Sequence, residues 1–153
     1  MKGFEILRAT EEWQRTGAYS VRIQGMNRQY HISLREEFDE HDGDSSKYIV
    51  ALEDGYPVAT CRFYETSKTQ VMLGRVVVLP EYRGKNLGSL VVSEAESWIR
   101  ELGYQEIIID SRVSVVPFYE KLGYTTIGTE SEMNSVFECI RMQKRIESQA
   151  PLF

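Results

Sequence analysis

The chain has 153 residues, 42% hydrophobic and 27% charged, which supplies a sizeable core and excludes a disordered, fibrous or disulfide-scaffold polymer. Eighteen Lys and Arg against 23 Asp and Glu leave a net charge of -5, which argues against nonspecific binding along a nucleic-acid backbone. Cys61 and Cys139 both sit in apolar alternating runs and read as buried free thiols. Glu5 falls where a signal peptide would continue its apolar region, and no apolar run approaches a membrane span, so a cytoplasmic location with no membrane partner is expected.

Residues 4–7 read as a short first strand, with Thr10 placed to cap a helix beginning near Glu11. An amphipathic pattern follows from Trp13 to about Arg28, interrupted by Gly17 and Gly25. Leu34 and Phe38 lie four apart, as on one helical face, within an acidic stretch over residues 36–44. That stretch reads as a solvated connection, or as the lining of an acceptor site whose carboxylates attract a cationic amine. Residues 48–52 and 58–64 read as strands joined by an Asp54-Gly55 hairpin turn, and residues 70–79 as a further strand stopped by Pro80.

Leu87, Leu90, Val91, Glu94, Trp98 and Leu102 fall close to one helical stripe, with Gly103 able to cap the C-terminal end. Ile107, Ile108 and Ile109 form a continuously apolar strand of the kind covered on both faces. Strand, turn, helix, strand in this order predicts a parallel pair with a right-handed crossover. Residues 117–122 read as a short helix stopped by Gly123, and residues 136–142 as the last strand, followed by a polar tail. The expected organisation is one α/β domain over residues 1–146 with a polar tail over 147–153.

Between the strand over residues 70–79 and the stripe helix lies Tyr82-Arg83-Gly84-Lys85-Asn86-Leu87-Gly88. Successive backbone N–H groups at a tight turn opening a helix cradle anions, and Arg83 and Lys85 add positive charge. The turn lacks the Gly-Lys-Ser/Thr ending of a nucleoside-triphosphate loop and does not follow the first strand, as a dinucleotide fingerprint would. A plain strand-to-helix connector with a basic surface is the competing account. His31 and His41 have no compact ligand pattern around them, so no metal is expected.

Residues 74–88 resemble the acetyl-CoA-binding core of the GNAT superfamily of N-acetyltransferases, whose signature is Arg or Gln, two residues, Gly, one residue, then Gly or Ala. Arg83 matches the first position and Gly88 the last, while Asn86 stands in the place of the middle Gly; asparagine accepts unusual turn dihedrals. The segment Phe118-Tyr119-Glu120-Lys121-Leu122-Gly123-Tyr124 resembles the second recognisable segment of the superfamily. Over residues 20–142 the chain is similar to a small bacterial subgroup that includes ElaA-like and YjcF-like proteins.

The resemblance implies an acyl-CoA N-acyltransferase fold, a mixed, splayed sheet flanked by helices. It implies acetyl-CoA as cosubstrate, bound at Arg83, Gly84, Lys85, Asn86, Leu87 and Gly88, with Ser111, Phe118 and Tyr119 nearby. A strand bulge around Val76, Val77 and Val78 would turn backbone N–H groups toward the thioester carbonyl. An amine would attack directly, with Tyr119 donating a proton or hydrogen bond to the departing sulfur; Tyr124 is structural. For the general base, Glu37 and Asp39 are favoured, Glu65 and Asp110 are further candidates, and a water chain is the alternative. Arg22 and Arg75 read either as contacts to acceptor or cofactor or as salt bridges. The expected partner is a small-molecule or peptide amine, with a homodimer possible. A longer acyl-CoA, a noncatalytic CoA sensor and an interaction protein retaining only the fold are the rival functions.

Overall fold

The computed structural model describes residues 3–133 and 137–147. Seven strands are hydrogen-bonded in the order β1-β2-β3-β4-β5-β7-β6, numbered along the chain. The chain clusters into two compact units, one of Met1–Tyr64 with Arg75–Trp98, the other of Glu65–Gly74 with Ile99–Phe153.

The first unit opens with β1 (Glu5–Arg8), antiparallel to β2 (Ser46–Glu53), which pairs in turn with β3 (Tyr56–Glu65). Asp54 and Gly55 both take positive φ (52° and 86°), the geometry of the expected two-residue hairpin. Helix α1 (Glu12–Arg22) lays Ala18 and Val21 inward, and Ala18 packs in one cluster with Tyr48, Val50 and Leu52 of β2. Because side chains alternate along a strand, Cys61 and Phe63 point to the opposite face. There they meet α4 (Leu87–Glu101): the Cys61 thiol donates to the Val91 carbonyl at 3.4 Å, and Phe63 stands edge-on to Trp98. Each buried Val, Leu, Ile or Phe in such a stack contributes about 1.5–3 kcal/mol.

Two local expectations are corrected in this unit. Thr10 is not the cap of α1: Gln14 Oε1 accepts from the backbone N–H of both Thr10 (2.8 Å) and Glu11 (2.9 Å), so the cap comes from inside the first turn. Nor do the glycines break the helix. It runs through Gly17, widens into a π turn over Ile23–Asn27, continues as α2 (Arg28–Tyr30), and ends where His31 turns left-handed at φ 56°. Helix α3 (Leu34–Glu37) follows, its Ser33 cap accepting from Glu36 N at 3.2 Å.

In the second unit β5 (Glu106–Arg112) pairs parallel with the start of β4 (Gln70–Val78), through Gln70, Val71 and Met72 against Glu106, Ile107 and Ile108. Among the described residues the registered pairing ends there, although both strands run on. Strand β7 (Glu138–Arg145) lies antiparallel to β5 and extends past the expected end at 142. Asp110 and Arg141, opposite each other on these strands, join in a two-pronged ion pair of 2.8 and 3.0 Å. Helix α5 (Val116–Lys121) is stopped at Gly123 (φ 96°), and Lys144 Nζ donates to the Leu122 carbonyl at 2.8 Å.

Strand β6 (Thr125–Met133) has no counterpart in the sequence reading. Residues 125–128 are all exposed, so the strand carries no apolar alternation there to reveal it. Of the expected last strand, Val136 lies outside the described residues, as does the expected tail from residue 148 onward. No helix among the described residues is long and apolar enough to cross a membrane. Cys61 and Cys139 are buried thiols rather than a disulfide, as their apolar settings imply, and burial pushes the Cys61 thiol well above its ordinary range.

Candidate active site

The turn after β4 is built from two left-handed residues. A single turn of 3₁₀ helix (Pro80–Tyr82) is followed by Gly84 at φ 80° and Asn86 at φ 67°, and α4 begins at Leu87. Asn86 therefore takes the conformation that a glycine would take freely, as its side chain permits. Buried Leu87 anchors the helix start, and Leu90 N donates to Asn86 O (3.1 Å) as the helix closes. The N–H groups of Leu87, Gly88 and Ser89 consequently have no intrahelical acceptor. A Cβ on Gly84 would meet nothing within 4 Å, so the space above that glycine is open. Arg83, Lys85 and Asn86 are exposed around it. Arg83 bends back, Nε donating to Val78 O at 3.2 Å and Nη2 to Gln29 Oε1 at 3.1 Å, while the Lys85 ammonium sits 5.2 Å from the Tyr82 ring centre.

Strand β4 is kinked just before the expected bulge. Arg75 has φ 50°, an unusual value for a residue inside a strand, and it immediately precedes Val76, Val77 and Val78. Val77 is buried, and Leu79 N rejoins the β3 side by donating to Val58 O at 3.0 Å.

Beside that kink the acidic stretch is a solvated connection only in part: Glu36, Glu40 and Asp44 are exposed, whereas Glu37, Asp39 and Asp42 turn inward to arginines. Arg22 is completely buried, with Nε donating to Glu37 Oε2 (2.9 Å), Nη1 to Asp42 Oδ1 (2.7 Å) and Nη2 to Glu37 O (2.8 Å). Arg62 donates to Asp39 Oδ1 at 2.9 Å, and Arg75 Nη2 to Asp39 Oδ2 and Glu37 O, both at 3.1 Å. The Tyr48 hydroxyl donates to Asp42 Oδ1 at 2.8 Å. Three guanidiniums and three carboxylates thus neutralise one another, the condition under which buried charge is tolerated. Burial pushes the Asp39 and Asp42 carboxyls up, but hydrogen bonds and charge from Arg62 and Arg22 respectively win and hold both below the usual carboxylate range. Burial, reinforced by Arg62 and Arg22, lowers Arg75.

Glu37 and Asp39, the favoured bases, are therefore arginine ligands here, with Glu37 only 4% exposed. Arg22 and Arg75 make salt bridges, one of their two expected roles. Arg62, Asp42 and Tyr48 were not singled out from sequence; the one signal was an arginine in the middle of the apolar run Val58-Ala59-Thr60-Cys61-Arg62-Phe63.

In the second unit Ser111 is buried and donates to Arg112 O at 2.8 Å. Tyr119 is 6% exposed and stands edge-on to Phe118 and Tyr124, with centroids 4.9 and 5.8 Å away. The further base candidates are engaged as well: Glu65 accepts from the Tyr104 hydroxyl at 2.6 Å, and Asp110 holds Arg141.

The turn of left-handed residues opening α4, the kinked strand before it and the seven-strand mixed sheet are those of an acyl-CoA N-acyltransferase fold. Residues 7–124 match the acetyltransferase (GNAT) family, and the chain belongs to that family. An uncharacterised acetyltransferase of Streptococcus pyogenes is 32% identical over 97 residues, a stretch that takes in 63% of this chain and 66% of that relative, just under two thirds of its length. A Lactobacillus plantarum structure whose N-acetyltransferase assignment is provisional superposes with a TM-score of 0.86 at 26% identity, over 94% of this chain and 98% of its own. Escherichia coli ElaA shares the fold at TM-score 0.76 and 17% identity, over 94% and 99% of the two chains.

Proposed function

We propose that the protein transfers the acetyl group of acetyl-CoA to a primary amine by direct attack. The observation that carries this reading is the pair of left-handed residues, Gly84 and Asn86, at the mouth of α4, which bares backbone N–H groups to an anion. The pyrophosphate of CoA is assigned to residues 83–88, with Lys85 and Arg83 as its cations and Gly88 giving room for close approach. Ser111 and Phe118 are assigned to the pantetheine on the family resemblance of their segment.

In the reaction the neutral amine attacks the acetyl carbonyl, and backbone N–H groups of Val76, Val77 and Val78 hold the oxygen as it becomes negative. The tetrahedral intermediate breaks its C–S bond, and the departing thiolate takes a proton from the Tyr119 hydroxyl. The ammonium proton of the attacking nitrogen is assigned to water. Glu37 and Asp39 already accept from arginines, and these two are assigned to holding β4 instead. A small-molecule or peptide amine is the acceptor, the cytoplasm supplies acetyl-CoA and keeps Cys61 and Cys139 reduced, and a homodimer is the proposed assembly.

The test is thiol release from acetyl-CoA with a panel of primary amines, among them polyamines, aminoglycosides and peptides with free N-termini, with products weighed by mass spectrometry. Amine-dependent release with a singly acetylated product supports the proposal. Saturable cofactor binding without release for every amine class shifts the assignment to a CoA sensor.

A further inference from the structure

Four non-glycine residues have positive φ among the described residues: His31, Asp54, Arg75 and Asn86. His31 ends a helix, Asp54 makes the β2–β3 hairpin and Asn86 opens α4; Arg75 alone of the four lies inside a strand. His, Asp and Asn are the types enriched in that region, whereas arginine has no short polar group to satisfy its own backbone there. Gly74, its neighbour, could take a left-handed kink without a steric penalty and has open space around it, yet its φ is not positive. The strain falls on the arginine, and strain of this kind persists only where the surroundings over-determine it.

The surroundings do so through the side chain. Arg75 Nη2 donates to Glu37 O and Asp39 Oδ2, both at 3.1 Å, and Nε lies 3.3 Å from Glu37 Oε2. Glu37 is fixed in turn by buried Arg22 at 2.9 Å, and Asp39 by Arg62 at 2.9 Å. The half-buried guanidinium is thus held by a network whose inner members, Arg22, Glu37 and Arg62, are buried, while its own backbone turns the next three residues.

We propose that Arg75 is a positioning residue for acetyl transfer: clamped by Glu37 and Asp39, it locks the left-handed backbone that aims the N–H groups of Val76, Val77 and Val78 at the thioester oxygen. The proposal rests on the acetyl-transfer reading and deepens it. Arg75 acts through β4 and touches neither substrate.

The test compares Arg75→Ala, Arg75→Gly and Asp39→Asn with wild type. Four quantities are read: the H–N–Cα–H coupling of residue 75, which reports φ; single-turnover acetyl transfer; affinity for CoA; and the acceptor KM. Displacing oxyanion donors by an ångström costs about 100-fold, so Arg75→Ala is expected to lose transfer on that order while CoA affinity stays within about twofold. Arg75→Gly, which admits positive φ without strain, is expected to recover to roughly tenfold of wild type or better. Asp39→Asn keeps Arg75 and is expected to shift the coupling toward ordinary strand values and slow transfer together. Equal losses in the alanine and glycine variants with a raised acceptor KM would make Arg75 an acceptor contact and overturn the clamp, as would an unchanged coupling in Asp39→Asn. Failure of the wild type to bind acetyl-CoA would overturn both readings, whereas binding with an unlocked residue 75 would overturn this one alone.

Discussion

Gly25 and Val77 approach so closely that a Cβ on Gly25 would lie 2.5 Å from Val77 Cγ1. The glycine sits in the π turn that extends α1, and Val77 is the buried member of the segment assigned to the thioester. Valine is stiff at χ1, so the valine cannot simply rotate aside. Gly25→Ala is expected to destabilise the protein by about 1–3 kcal/mol through overpacking, read as a lower urea midpoint at unchanged slope. It is also expected to slow acetyl transfer in the folded fraction, because relief comes from moving β4. Wild-type stability in this variant would show that helix and strand can part at no cost.

Arg22 is the root of the ion cluster, and its removal takes the shortest ion pair from two carboxylates. Arg22→Met is expected to cost about 3–5 kcal/mol, since it removes the fully buried counter-ion and leaves Glu37 to Arg75 and Asp42 to Arg62 alone, at 3.3 and 3.1 Å. The pH dependence follows from the lowered Asp39 and Asp42 carboxyls. Their folded values lie below the ordinary value of 3.8, so their contribution is fully present above that pH and is lost as pH falls from it toward the folded values. Wild-type stability should therefore drop steeply on acidification below this point, and Arg22→Met should flatten the slope. Parallel slopes in urea titrations of the two proteins would contradict the assignment.

Asn86 occupies the left-handed slot that a glycine fills freely. Asn86→Gly is expected to keep acetyl-CoA affinity within about threefold, whereas Asn86→Val is expected to lose tenfold or more because a branched Cβ resists positive φ. Calorimetric titration of both variants checks this. Equal affinities would mean that the turn reshapes without consequence for the cofactor.

Tyr119 is buried against Tyr124, so Tyr119→Phe preserves the ring packing and removes only the hydroxyl. The variant is expected to lose roughly 100-fold in the chemical step, at the low end of general acid catalysis, with acetyl-CoA affinity little changed. Unchanged turnover across pH, with chemistry shown to limit the rate, would remove Tyr119 from the proton-donor role.

Features encoded within a few residues were legible in the sequence. Asp54-Gly55 announced its hairpin, Asn86 its turn and Gly123 its helix stop, because each depends on local dihedral preference. The stripe from Leu87 to Leu102 was legible as a helix, with its polar member Glu94 accepting from Arg8 Nε at 2.7 Å on β1. What depends on distant partners was not legible. The pairing of Arg22 with Asp42 spans 20 residues and that of Arg62 with Asp39 spans 23, so the same carboxylates read as a solvated run. The kink of β4 fell on Arg75 rather than on the adjacent Gly74, because a tertiary clamp overrode the local preference for glycine. Residues 125–128 of β6 are exposed and hold a single apolar residue, Ile127, so no alternation marks the strand there.

Calorimetric titration of the wild type and Gly88→Trp shows whether the turn of residues 83–88 holds acetyl-CoA. Saturable binding of acetyl-CoA and CoA by the wild type, little response to ATP, and loss of that binding in folded Gly88→Trp are the predicted results. No saturable binding by the folded wild type, or undiminished affinity in the folded tryptophan variant, would contradict that assignment.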